Sequence, residues 1–206
     1  MSLEPSTANL TAHIHLLAAF ECGDYDQIAS AGVDLGRLTS VETVHEVIRL
    51  MHLFYGFPRL VRAWNALPKE LLPGSEAPFS PGSSEGSAGS QKEKEAEDLG
   101  ESTFRLIYGK QTNRVLKHLH HLDSMTCSWI LGHAYGKVLS RPELAIEIKE
   151  RLAVLALAAT GCWRQWQSHV DNARRLGVSV EVLKRDMTAT SWPPDSVKAQ
   201  ALERLP

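Results

Sequence analysis

From Leu152 to Ala159 the chain runs LAVLALAA without a polar break. A helix that is apolar nearly all round is buried, not laid on a surface. The segment that carries it, Arg141 to Gly177, opens on Arg141-Pro142, which predicts a helix start because proline suits the first turn. Thr160-Gly161 interrupts the apolar run, and Gly177 closes the segment as a helix C-cap. Beyond the break, Cys162, Gln165 and His169 stand at i, i+3 and i+7. That spacing puts a thiol, an amide and an imidazole on one helical face.

The same period organises the rest of the chain. Leu10 to Cys22 reads as a first helix with Gly23 as its stop, and Asp24 caps a second that runs to Leu35 before Gly36. Ser40 caps a third, in which Val44, Val47, Ile48, Met51 and Phe54 keep the apolar period until Gly56-Phe57-Pro58. Arg59 to Leu67 reads as a short fourth. Asn113 to Asp123 and Met125 to Leu139 follow, with a break at Tyr108-Gly109. Ser179 caps SVEVLKRDMTA, Pro193-Pro194 breaks the chain, and Ser196 to Leu205 is terminal. Strand-type alternation is nearly absent, so the fold class is all-α.

The stretch 73–101 departs from this pattern, being rich in Gly, Ser and Pro and then densely charged. It is expected to be a disordered insert or linker, because so little apolar surface does not offset the entropy of ordering. The flanking parts, 1–72 and 102–206, then form two helical units. They share a repeat: LGRLTSVETV (Leu35 to Val44) answers LGVSVEVL (Leu176 to Leu183). Around both lie a buried helix, a second ending at glycine, a serine-capped third and a proline break. The offset, taken from Cys22 to Cys162, is 140 residues. Either copy alone leaves apolar faces uncovered, and two packed together cover them.

Composition narrows the function. Of 206 residues, 22% are charged and the net charge is -2, which excludes a strongly basic nucleic-acid or membrane-surface binder. Three cysteines without a CxxC pair fit a reducing compartment better than a disulfide scaffold. No Lys or Arg precedes Arg37, and the apolar run is shorter than the ~20 residues a bilayer span needs. A soluble, cytoplasmic protein is expected. His118, His120 and His121 lack the converging ligands that a metal site requires and read as a solvated helix face.

The run HAYGKVLSRPEL (His133 to Leu144) resembles the HxYGxxxxRxxL signature of the carboxymuconolactone decarboxylases. The ALAATGCWRQWQSHVDNARRLGVSVEVL that follows resembles the buried helix, histidine helix and capped third helix of that family. The wider superfamily includes alkylhydroperoxidase-like (AhpD-like) proteins, which carry a Glu, then CxxC, then a His four residues past the second cysteine. Here Glu150, Cys162 and His169 match, and Gln165 stands at the second cysteine. The resemblance covers 102–205 continuously, and Leu10 to Leu67 resembles a second, partial copy without the histidine. It implies an all-α bundle, assembly as trimers or hexamers, and no cofactor.

Three functions remain open. In the decarboxylase reading, His169 is the acid/base, Glu150 orients it, and Arg141 or Arg164 holds a substrate carboxylate, with Gln165 and Tyr135 as further substrate-binding residues. On one straight helix Glu150 does not face Cys162, so the pairing needs the bend at Thr160-Gly161. In the peroxidase reading, Cys162 attacks peroxide, but Gln165 does not resolve a sulfenic acid, so an external thiol is needed. In the third, the chain is a non-catalytic oligomeric scaffold. A small-molecule substrate is the expected partner in the first two.

Overall fold

The computed structural model describes residues 7–74 and 86–206. Among these the chain is helical and contains no strand. It divides into two compact units, one of Met1–Leu72 with Glu143–Pro206 and one of Pro73–Pro142. The expected division at residue 102 is therefore drawn differently: both repeats belong to one unit, and the segment between them forms the other.

In the first unit, α1 (Thr7–Cys22), α2 (Tyr25–Leu38), α3 (Val41–Tyr55) and α4 (Phe57–Ala66) are the first repeat. The second comprises α8 (Ile146–Ala159), α9 (Trp163–Arg175), α10 (Val180–Thr188) and α11 (Asp195–Arg204). The serine caps of the third helices repeat, whereas Asp24 caps α2 and its counterpart Cys162 makes no side-chain cap at α9. The Asp24 carboxylate accepts from Gln27 N–H, Ser40 Oγ from Thr43 N–H, and Ser179 Oγ from Val182 N–H. Each cap satisfies one amide that the helix leaves unpaired, worth about 1 kcal/mol. Packing repeats too: α1 lies against α2, α3 and α4 as α8 lies against α9, α10 and α11, and α1 meets α8. The two helices that neither repeat can cover alone are buried by the pairing. From Leu152 to Ala158 every residue of α8 is buried, and Leu16 and Leu17 of α1 are fully so. Each large side chain buried in α1 and α8 contributes about 1.5–3 kcal/mol.

Two boundaries differ from the sequence pattern. Helix α2 ends not at Leu35 but at Leu38, running through Gly36, because Gly32 and Gly36 pack on Leu67 and Leu71, where added Cβ atoms would come within 2.7 and 3.4 Å. Arg141-Pro142 does not start a helix. It lies in a turn, Leu144 is buried, and α8 begins at Ile146 after Ala145 in an extended conformation.

The second unit contains α5 (Gly86–Tyr108), α6 (Thr112–Leu122) and α7 (Ser124–Trp129), which runs on into a π-helix (Ile130–Leu139). The expected linker is thus helical from Gly86, while 75–85 lies outside the described residues. Its polar residues are mostly Lys, Glu and Gln, all good helix formers, with pairs such as Gln91–Glu95 and Arg105–Glu101 one turn apart. Its small residues permit a tight crossing with the π-helix. A Cβ on Gly100 would lie 1.9 Å from the Leu131 carbonyl oxygen, and one on Gly136 would lie 1.9 Å from that of Ala96. Among the described residues no helix is long and apolar enough to cross a membrane.

Candidate functional site

The site grows from the turn between α8 and α9. Gly161, at φ +70, adopts a left-handed conformation that side chains rarely tolerate. Gly161 N–H binds the Ala158 carbonyl and Cys162 N–H that of Leu157, closing α8 with two crossed bonds. The chain then turns back as α9, and α8 and α9 pack together. This hairpin brings Glu150 and His169, 19 residues apart, into contact: Nδ1 of the imidazole lies 2.8 Å from Glu150 Oε2.

The environment of the pair is asymmetric. Glu150 has no exposed surface, whereas the His169 side chain is 14% exposed. The other Glu150 oxygen, Oε1, is buried without a hydrogen-bond partner. The carboxylate therefore depends on His169, since a buried charge without a partner is costly. With Nδ1–H donating to Glu150, the tautomer is fixed and Nε2 is left to exchange protons. Phe54, from the end of α3, meets the imidazole edge to face with ring centroids 6.2 Å apart.

The next residue along α8 sets its rotation. Arg151 makes a two-pronged pair with Asp186 of α10, at 2.6 and 2.8 Å, and both side chains are buried. Anchoring Arg151 to α10 directs Glu150 toward α9, because adjacent helical residues point about 100° apart. Lys149, Glu150 and Arg151 are all buried, so three consecutive charged residues occupy core positions of an otherwise apolar helix.

The other expected site residues fall in different places. Gln165 is exposed and lies about 40° from His169 around α9, so it shares that face. Arg164 is exposed and about 140° away, so α9 does not direct it toward His169. Cys162 is the N-cap of α9 and exposed, not a buried small hydrophobe. It stands seven residues before His169, about 10 Å along the axis, and its thiol contacts only the Thr160 carbonyl, at 3.9 Å. Arg141 and Tyr135 belong to the second unit. Tyr135 is buried there, packed on Phe104 with its hydroxyl 3.3 Å from that of Tyr108. The glycines of the HAYG element serve the α5 crossing described above.

Sequence reasoning missed Phe54, Arg151 and Asp186. The signal for Phe54 was its place at the end of an apolar stripe, which marks a core residue equally well. For Arg151 and Asp186 the only signal was charge at positions that helical periodicity assigns to the interior. Among the described residues no group of three or more His, Cys, Asp or Glu side chains is placed to hold a metal ion. No protein-family model matches the chain, and neither a curated protein nor a solved structure matches it.

Proposed function

We propose that the chain is a cofactor-free lyase of the carboxymuconolactone decarboxylase type, acting on a small carboxylated lactone with His169 as acid/base. The observation that carries this reading is the Glu150–His169 pair, in which a fully buried carboxylate holds a partly exposed imidazole at 2.8 Å. The substrate carboxylate leaves as CO2, and the electrons of the broken C–C bond pass into the conjugated lactone carbonyl. Imidazolium Nε2–H then protonates the resulting dienolate at the carbon α to the carbonyl, the double bond moves onto the carbon that lost CO2, and His169 recovers its proton from solvent. One proton is consumed for each CO2 released. Glu150 stays ionised and stabilises the imidazolium, the role a buried acid plays beside a catalytic histidine.

Gln165 shares the face of His169 and offers an amide donor to the substrate carboxylate. Arg164, on another side of α9, takes no part. The thiol reading is weaker, because Cys162 lies about 10 Å along the helix from the imidazole and has no cysteine partner. Association of copies belongs to the same proposal. Leu122, Met125 and Trp129 are each at least 60% exposed, an apolar surface of the kind that assembly covers.

The test is turnover of carboxymuconolactone in D2O. The product, an enol lactone, is expected to carry one deuterium at the carbon α to the lactone carbonyl, and His169→Ala to give none above the uncatalysed background. Equal labelling by wild type and His169→Ala sinks the reading.

A further inference from the structure

Phe54 lies in the repeat that lacks the catalytic histidine, yet its ring meets His169 edge to face at 6.2 Å. It is partly exposed, unlike its stripe-mates Val44, Val47, Ile48 and Met51, which are fully buried. Its position is therefore at the margin of the core, beside a partly exposed imidazole. The opposite half of the unit shows what such a position does. Aligned on the turn glycines Gly23 and Gly161, the repeats are offset by 138 residues and not by the 140 between Cys22 and Cys162, since Cys22 precedes its glycine and Cys162 follows its own, and this shift carries Ala31 of α2 onto His169 of α9. Ala31 lines a groove of about 550 Å³ together with His15, Ser30 and Trp192. Trp192 comes from the connection after α10, as Phe54 comes from the end of α3, which is the matching helix. In each half an aromatic residue from the other repeat stands beside the position of His169. Where that position is alanine, the aromatic walls a groove.

We infer that Phe54 is a positioning residue for His169, so that the site is built by both repeats and the copy without the histidine supplies its wall. Glu150 fixes one ring nitrogen by a hydrogen bond, and a single bond leaves the ring free to tilt about it. Phe54 removes that freedom by packing across the imidazole, which holds Nε2 in one direction. The inference rests on the acid/base role of His169 for its catalytic consequence, but the packing claim is measurable without turnover.

The experiment is ring-nitrogen NMR of His169, assigned with His169→Ala, in wild type, Phe54→Ala and Phe54→Leu. Wild type is expected to show one tautomer, protonated at Nδ1. In Phe54→Ala the ring tilts and its bond to Glu150 loosens, so both nitrogen shifts are expected to move toward tautomer averaging, with Phe54→Leu in between. In carboxymuconolactone turnover, kcat is expected to fall about 10- to 100-fold in Phe54→Ala with KM changed less than about threefold, the pattern of lost orientation. Unchanged nitrogen shifts in both Phe54 variants overturn the inference, and Phe54→Leu serves if Phe54→Ala does not fold. If the shifts move as expected while wild type turns over no lactone, the positioning role stands and the decarboxylase reading fails.

Discussion

Removing the His169 imidazole is the most informative single change, because the fold predicts its cost without reference to any substrate. Glu150 is fully buried, and of its two oxygens only the one facing His169 has a hydrogen-bond partner. His169→Ala therefore leaves a carboxylate in the core with no partner. Breaking a buried pair by deleting one member costs about 3–5 kcal/mol. The 14% exposure of His169 lets water reach part of the space it leaves, so the lower end, about 3 kcal/mol, applies here. For a domain of this size that is a fall of about 6–12 °C in Tm, at about 2–4 °C per kcal/mol. Thermal unfolding followed by circular dichroism measures it. Glu150→Gln with His169→Ala should regain most of the loss, because the double variant leaves no carboxylate at position 150 to be buried unpaired. Melting of His169→Ala within about 1 °C of wild type, or no recovery in the double variant, refutes the claim that each residue is the other's main partner.

Other consequences follow from the packing. Gly136→Ala places a Cβ 1.9 Å from the Ala96 carbonyl oxygen, so α5 and the π-helix must separate. A loss of about 1–3 kcal/mol or more is expected in denaturant unfolding of the second unit. Asp186→Ala leaves Arg151 buried and unpaired, at a cost of about 3–5 kcal/mol, and replacing both by apolar residues of similar volume should restore stability in the same assay. Alkylation at neutral pH, read by mass spectrometry, should label the exposed Cys22 and Cys162 before Cys127. Burial, with the Glu97 carboxylate nearby, pushes the Cys127 thiol up, so its labelling should gain most from raised pH.

Much of the helical order was legible, because it depends on chemistry that is local in sequence. Asp24, Ser40 and Ser179 cap helices as their side chains require, and Gly23, Gly56, Gly161 and Gly177 have the positive φ that a turn after a helix needs. The burial of α8 followed from its unbroken apolar run. What was not legible depends on partners far away in the chain. Gly36 looks like a stop but serves packing on Leu71, and α2 continues through it. Charge density in 91–99 reads equally as linker or as exposed helix, and only the crossing at Ala96 and Gly100 settles which. The Glu150–His169 contact was an expectation conditional on a bend, and the Gly161 turn provides that bend. Phe54, Arg151 and Asp186 meet their partners across 115, 35 and 35 residues, a separation that no local pattern encodes.

The central claim is that Glu150 holds His169 for proton delivery to the dienolate left as CO2 departs. Its most direct test is release of ¹³CO2 from carboxyl-labelled carboxymuconolactone by wild type, His169→Ala and Glu150→Gln at equal concentration of folded protein. Wild type is expected to release label steadily, His169→Ala to lose at least about 100-fold, and Glu150→Gln to fall in between, since general acid–base catalysis contributes about 10²–10⁴-fold. No release above background by wild type, or equal rates in all three, contradicts it.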